Sequence, residues 1–221
     1  MSTFALHLGE DKFFELGINF PKEKRDIKAR DKHIMLIVKE NPRFPEIGDK
    51  FFIEKGNQNE IAWIRKFIQT FDGYATYYQN SALALIEVSL GDRDMMDKNI
   101  LPIIFLIRHY LELRLKEVLQ MLDSQNEFPK THNLKELWKL FKSKYSSIEA
   151  VSSKEFQAMD NLIQELSDKD PSSISFRYHA NKTGKRIDIP ERINLSNLKE
   201  TFLRVSFSID GIAMQIADWG Q

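Results

Sequence analysis

From Asn99 to Leu122 the chain reads as one nearly continuous apolar helix, and Arg108, Glu112 and Lys116 recur through it every fourth residue. Ile104, Ile107, Leu111, Leu115, Val118 and Leu122 fill one face while Ile103, Leu106, Tyr110 and Leu113 fill another. A helix that is apolar on several faces has to be surrounded, so this one belongs at the centre of a helical protein. Its charged stripe is the exception, because buried charges are costly unless paired and hydrogen-bonded. The four-residue spacing sets Arg108 beside Glu112 and Glu112 beside Lys116, so the stripe can neutralise itself, with His109 on the adjoining edge.

The remaining segments supply the surroundings. Ile61, Ile64, Ile68, Phe71, Ala75, Tyr78, Ala82, Leu85 and Ser89 are spaced by threes and fours, which predicts a long first helix that Gly73 weakens. The turn Gly91-Asp-Arg-Asp precedes the central helix, whose Pro102 is placed for a first turn, and the helix is expected to end near Asp123. Asn133 with Glu136, and Ser152 with Glu155, read as capping boxes opening two further helices, the second stopped by Asp170-Pro171. Ile174 to His179 and Arg186 to Ile189 alternate around Asn181-Lys-Thr-Gly184, a hairpin pattern. Leu198, Phe202, Val205, Ile209, Ile212, Ile216 and Trp219 form the seam of a last helix, read as core. The expected fold is mainly α: an antiparallel bundle of about five helices over residues 59–221, with a short β-hairpin before the last one. Residues 1–58 are dense in charge and proline, with strand-like stretches at His33–Val38 and Lys50–Glu54, and read as a small mixed α/β or irregular appendage.

Composition narrows the function. Lys+Arg and Asp+Glu balance at 32 each, so no global charge favours nucleic acid or a membrane. Residues 107–144 hold eight basic against five acidic side chains and residues 176–192 five against two, while residues 145–175 hold two against six. Two mildly basic stretches therefore flank an acidic one. The absence of cysteine excludes disulfides, thiolate metal sites and cysteine nucleophiles. No basic-then-apolar leader opens the chain, and Ile100 to Ile107 is too short for a membrane span, so a cytoplasmic protein is expected.

Glu112-x-x-x-Lys116 within an apolar helix, Thr131-His-Asn-Leu-Lys-Glu-Leu137 opening the next, and Phe176-Arg-Tyr178 before a turn together resemble the HEPN-domain superfamily over roughly residues 70–218. The resemblance implies an up-and-down bundle of four to five helices that dimerises. It also implies a place among toxin–antitoxin, antiviral-defence and RNA-processing proteins, many of them metal-independent ribonucleases. Active members carry an Arg followed four to six residues later by a His. In this chain His109 directly follows Arg108, His179 lies two after Arg177, and His33 lies three after Arg30. The family's usual ribonuclease pair is thus absent.

Arg108, His109 and His179 are the candidate catalytic residues, with a histidine as base towards a 2′-hydroxyl and arginines balancing the phosphate charge. Glu112, Lys116, His132, Arg177, Tyr178, Lys182, Lys185 and Arg186 are the candidate RNA- or phosphate-binding residues, since Arg and Lys meet phosphates and tyrosine stacks a base. Other roles fit the same residues: an ion-pair ladder for the stripe, a backbone bond for His132 before a helix cap, and charged edge protection for the hairpin. Lys135, Lys139 and Lys142 read as a solvated helix face. The spacing of His109, Glu112 and His132 does not single out a metal, and neither metal nor cofactor is expected. Two functions follow: RNA binding or metal-independent cleavage by a homodimer, or a catalytically silent module that dimerises or docks to a protein partner such as an antitoxin or effector.

Overall fold

The computed structural model describes residues 47–123, 125, 128–146, 153–170, 173, 175–178, 180, 184 and 189–219. The chain divides into two compact units, Met1–Ala62 and Trp63–Gln221. In the first, the described residues hold a single 3-10 turn, Gln58–Glu60, capped by the Asn57 side chain. Phe51, Phe52 and Ile53 are exposed there, and the expected strand at residues 50–54 is not formed. The expected strand at residues 33–38 lies outside the described residues.

The second unit is helical. After the 3-10 turn Lys66–Ile68 come α1 (Phe71–Ser89), α2 (Arg93–Met121), α3 (Leu134–Tyr145), α4 (Lys154–Lys169) and α5 (Leu195–Trp219). α2 is the centre, packed along α1 and against α3 and α5, while α4 leans on α3. Its Tyr110, Leu115 and Ile103 are fully buried, and the Tyr110 ring meets Phe202 of α5 edge-on at 5.4 Å. The α3–α4 contact is aromatic, with Trp138, Phe141, Tyr145 and Phe156 in mutual ring contact.

Several boundaries differ from the sequence expectation. The first helix begins at Phe71, not Ile61, because Thr70 caps it by accepting from the Gly73 N–H at 3.1 Å. Gly73 permits the tight approach: a Cβ there would stand 2.2 Å from the Ile68 carbonyl oxygen. Pro102 lies deep inside α2 rather than in its first turn, because capping by Asp92 starts the helix at Arg93. Pro102 and Lys98 are both exposed, so the carbonyl that loses its partner faces water. Ser153, one residue later than expected, caps α4 by accepting from the Phe156 N–H at 3.3 Å. Of the expected hairpin, Ser175–Arg177 forms a turn, and residues 174, 179, 181–183 and 185–188 lie outside the described set. No strand occurs among the described residues.

Chain direction decides what meets what. α1 runs antiparallel to α2, since Asp72 pairs with Arg114 and Ser89 with Asn99. The three-residue connection between them turns on Gly91 at φ 91°, a conformation glycine adopts freely. α3 instead runs along α2 in the same sense: His132 lies beside Arg108, and Lys144 reaches Asp123 at 2.8 Å. α4 returns antiparallel to α3, since Phe156 near its start meets Tyr145 at the end of α3, while Asp170 at its end shares Arg108 with the His132 carbonyl just before α3. The N-terminus of α3 and the C-terminus of α4 therefore arrive together at the middle of α2, beside Arg108.

Candidate functional site

That junction is where the charged stripe is satisfied. Arg108 is 0 % exposed, and its guanidinium spans all three elements. Nη1 donates to Glu112 Oε2 at 3.0 Å, Nη2 donates to the His132 carbonyl at 2.6 Å, and Nε pairs with Asp170 Oδ2 at 3.1 Å while donating to the Asp170 carbonyl at 3.3 Å. Lys116 Nζ donates to Glu112 Oε1 at 3.0 Å. Two cations, Arg108 and Lys116, thus balance two buried carboxylates, Glu112 and Asp170, which is the condition for keeping charge out of water. The helix ends assist: Arg108 sits at the negative end of α4, and Glu112 beside the positive end of α3.

One member of the network reaches solvent. His132 is 67 % exposed, yet its Nδ1 is 2.7 Å from the same Glu112 Oε1. Glu112 is 2 % exposed. Burial works to raise the Glu112 carboxyl, but hydrogen bonds from Lys116 and His132 and the Lys116 charge outweigh it and hold the group below the usual glutamate range. An ionised carboxylate only accepts, so His132 Nδ1 carries a proton and Nε2 is the ring nitrogen left for proton exchange.

His109 borders this network on an aromatic edge. Its ring meets Tyr78 of α1 edge-on at 4.4 Å and lies parallel to Phe105 at 5.7 Å. Burial lowers its pKa; the Glu112 charge opposes that, and the charges of Arg108 and Lys116 add to it. The imidazole is therefore held neutral. The Arg177 guanidinium stands 5.6 Å from the Phe105 ring centre and 5.6 Å from that of Tyr178. Its Nε donates to the Ser173 carbonyl at 2.7 Å, and Nη2 donates to the same oxygen. Ser173 adopts φ 60°, a left-handed conformation costing roughly 1–2 kcal/mol for a residue with a side chain. Its loop is pinned by the Ser175 N–H donating to Asp170 Oδ1 at 2.8 Å.

The structure thus brings Arg108, Glu112, Lys116 and His132 into direct contact and sets His109, Arg177 and Tyr178 along one flank. His179, Lys182, Lys185 and Arg186 lie outside the described residues. Of the lysine face on α3, Lys135 and Lys139 are exposed, whereas Lys142 pairs with Asp160 at 2.6 Å. Sequence reasoning missed Asp170, because Asp170-Pro171 read only as a helix stop; an acidic residue closing a helix that must pack near a buried arginine was the usable signal. It also missed a second cluster on the opposite face of α2. There Arg114 meets Asp72 at 2.8 Å, Glu117 at 2.6 Å and Asp210 at 2.9 Å, and the Tyr110 hydroxyl donates to Asp210 at 2.7 Å. Among the described residues no three His, Asp or Glu side chains converge as metal ligands would, and no helix is long and apolar enough to cross a membrane. No family model, curated protein or solved structure matches the chain.

Proposed function

We propose that this chain is a HEPN-like, metal-independent RNA-binding and RNA-cleaving protein of a prokaryotic defence or toxin–antitoxin type system, working as a homodimer. The observation that supports it most is the exposed His132 imidazole, fixed at Nδ1 on a buried, charge-balanced Glu112 and neighboured by a neutral His109. Metal-free cleavage of RNA needs a base for the 2′-hydroxyl, an acid for the leaving 5′-oxygen, and a cation for the phosphate. His109 accepts the 2′-hydroxyl proton, protonated His132 donates from Nε2 to the 5′-oxygen, and Arg177 balances the phosphate. Arg108 touches no substrate in this reading; it positions Glu112, His132 and the end of α4. The products are a 2′,3′-cyclic phosphate and a 5′-hydroxyl. On α5, Phe207 at 81 % and Met214 at 71 % exposure support a second copy covering this helix.

A second reading has its own support. Every partner of Arg108 is internal and the residue is wholly buried, as in a lock that fixes helix packing. Under that reading the chain is a catalytically inactive module that docks to a separate effector or antitoxin. Incubating the purified protein with total RNA in EDTA, beside a His109→Ala/His132→Ala variant, separates the two. Cleavage leaving cyclic phosphate ends and lost in the variant is expected; intact RNA with the wild-type protein would leave the docking module.

A further inference from the structure

Away from the polar junction, α4 packs on α3 while α5 packs on α2 and α1, and the space left between α4 and α5 is a cavity of about 380 Å³. Its floor is the third face of α2: Ile104, Ile107 and Leu111. One wall is Leu162, Ile163 and Leu166 of α4, the other Leu198, Phe202 and Val205 of α5. Ile163 is 1 % and Phe202 2 % exposed, so the deep part is shielded from water, and all of these side chains are apolar. Nine apolar side chains thus supply most of the floor and both walls, which favours a ligand body that is itself mainly apolar.

The polar side chains in the lining are Asn194, Asn197 and Thr201 on the α5 side and the charged Glu165, Lys169 and Arg192. Glu165 and Lys169 lie one turn apart on α4 and carry opposite charges. Arg192, just before α5, lines the same cavity, is exposed, and makes no ion pair among the described residues. Arg192 thus presents an unpaired positive charge to the cavity, in a side chain whose planar fork matches a carboxylate. The floor on α2 and the wall on α5 each span eight residues, about two turns and about 10 Å, which accommodates an extended chain of about ten carbons.

We propose that this cavity is a binding site for a medium-chain carboxylate, the alkyl tail lying on Ile104, Ile107 and Leu111 and the head on Arg192. The site is independent of the RNA reading. Isothermal titration of the full chain with decanoate, kept below micelle formation, tests it. One saturable site per chain is expected, weakened at least tenfold by Arg192→Glu, with decanol binding unchanged in that variant. Val205→Trp, which fills the cavity from its wall, removes both ligands; should that variant fail to fold, the surface change Arg192→Glu still decides. Absence of saturable binding, more than one decanoate per chain, or undiminished decanoate affinity in Arg192→Glu would overturn the proposal.

Discussion

Two arginines six residues apart on α2 anchor two polar clusters with opposite characters. Around Arg108 the charges cancel, two cations against Glu112 and Asp170, and all four groups are shielded from water. Around Arg114 a single cation faces Asp72, Glu117 and Asp210, with Asp72 largely exposed. The excess negative charge has a readable effect. Burial raises the Glu117 carboxyl, Arg114 opposes that, and the neighbouring Asp72 and Asp210 push it further up. Glu112 is shifted the other way. Depth requires charge balance, while a cluster open to water tolerates imbalance. Only the balanced cluster extends to an exposed imidazole.

The largest effect is that of Arg108→Ala, which leaves Asp170 without its cation and two buried carboxylates against Lys116 alone, and is expected to cost roughly 3–5 kcal/mol in urea unfolding. Arg114→Ala, whose partners can rehydrate, is expected to cost roughly 1–2 kcal/mol by the same measurement. Equal losses would break the comparison. The pH response should differ in sign. Glu112, with a depressed folded pKa, contributes stability present above the unfolded glutamate value and lost as pH falls through the folded one. Glu117, with a raised folded pKa, contributes stability present below the unfolded value and lost as pH rises through the folded one. Unfolding midpoints from acid to neutral pH for Glu112→Gln and Glu117→Gln should therefore show opposite slopes relative to the wild type. Smallest in stability is His132→Ala, below about 1 kcal/mol because the ring is mostly exposed, yet RNA cleavage should fall roughly 100-fold or more.

The stripe itself was legible because its spacing and its apolar setting are both local. The Asn133 cap was legible for the same reason, and its side chain accepts from the Lys135 and Glu136 N–H groups as expected. Phe202, Val205, Ile209 and Ile216 of the last helix are buried as their periodicity indicated. Direction was not legible. A simple up-and-down bundle would put α3 antiparallel to α2, but the chain returns so that α3 starts beside Arg108 and runs in the same sense as α2. The roles of Asp170 and of the His132 carbonyl follow from that return, which no spacing within a helix encodes. Gly73 looked like a weakness inside a helix and is a contact point at its start, because the Ile68 carbonyl folds over it.

The central claim is that buried Glu112 fixes His132 with the proton on Nδ1 and leaves Nε2 as the working nitrogen. Nitrogen-15 spectra of the histidine rings, taken above the imidazole titration and assigned with His132→Gln, test it directly. The Nδ1–H tautomer is expected for His132, and is lost in Glu112→Gln. An Nε2–H tautomer for His132 in the wild-type protein would contradict it.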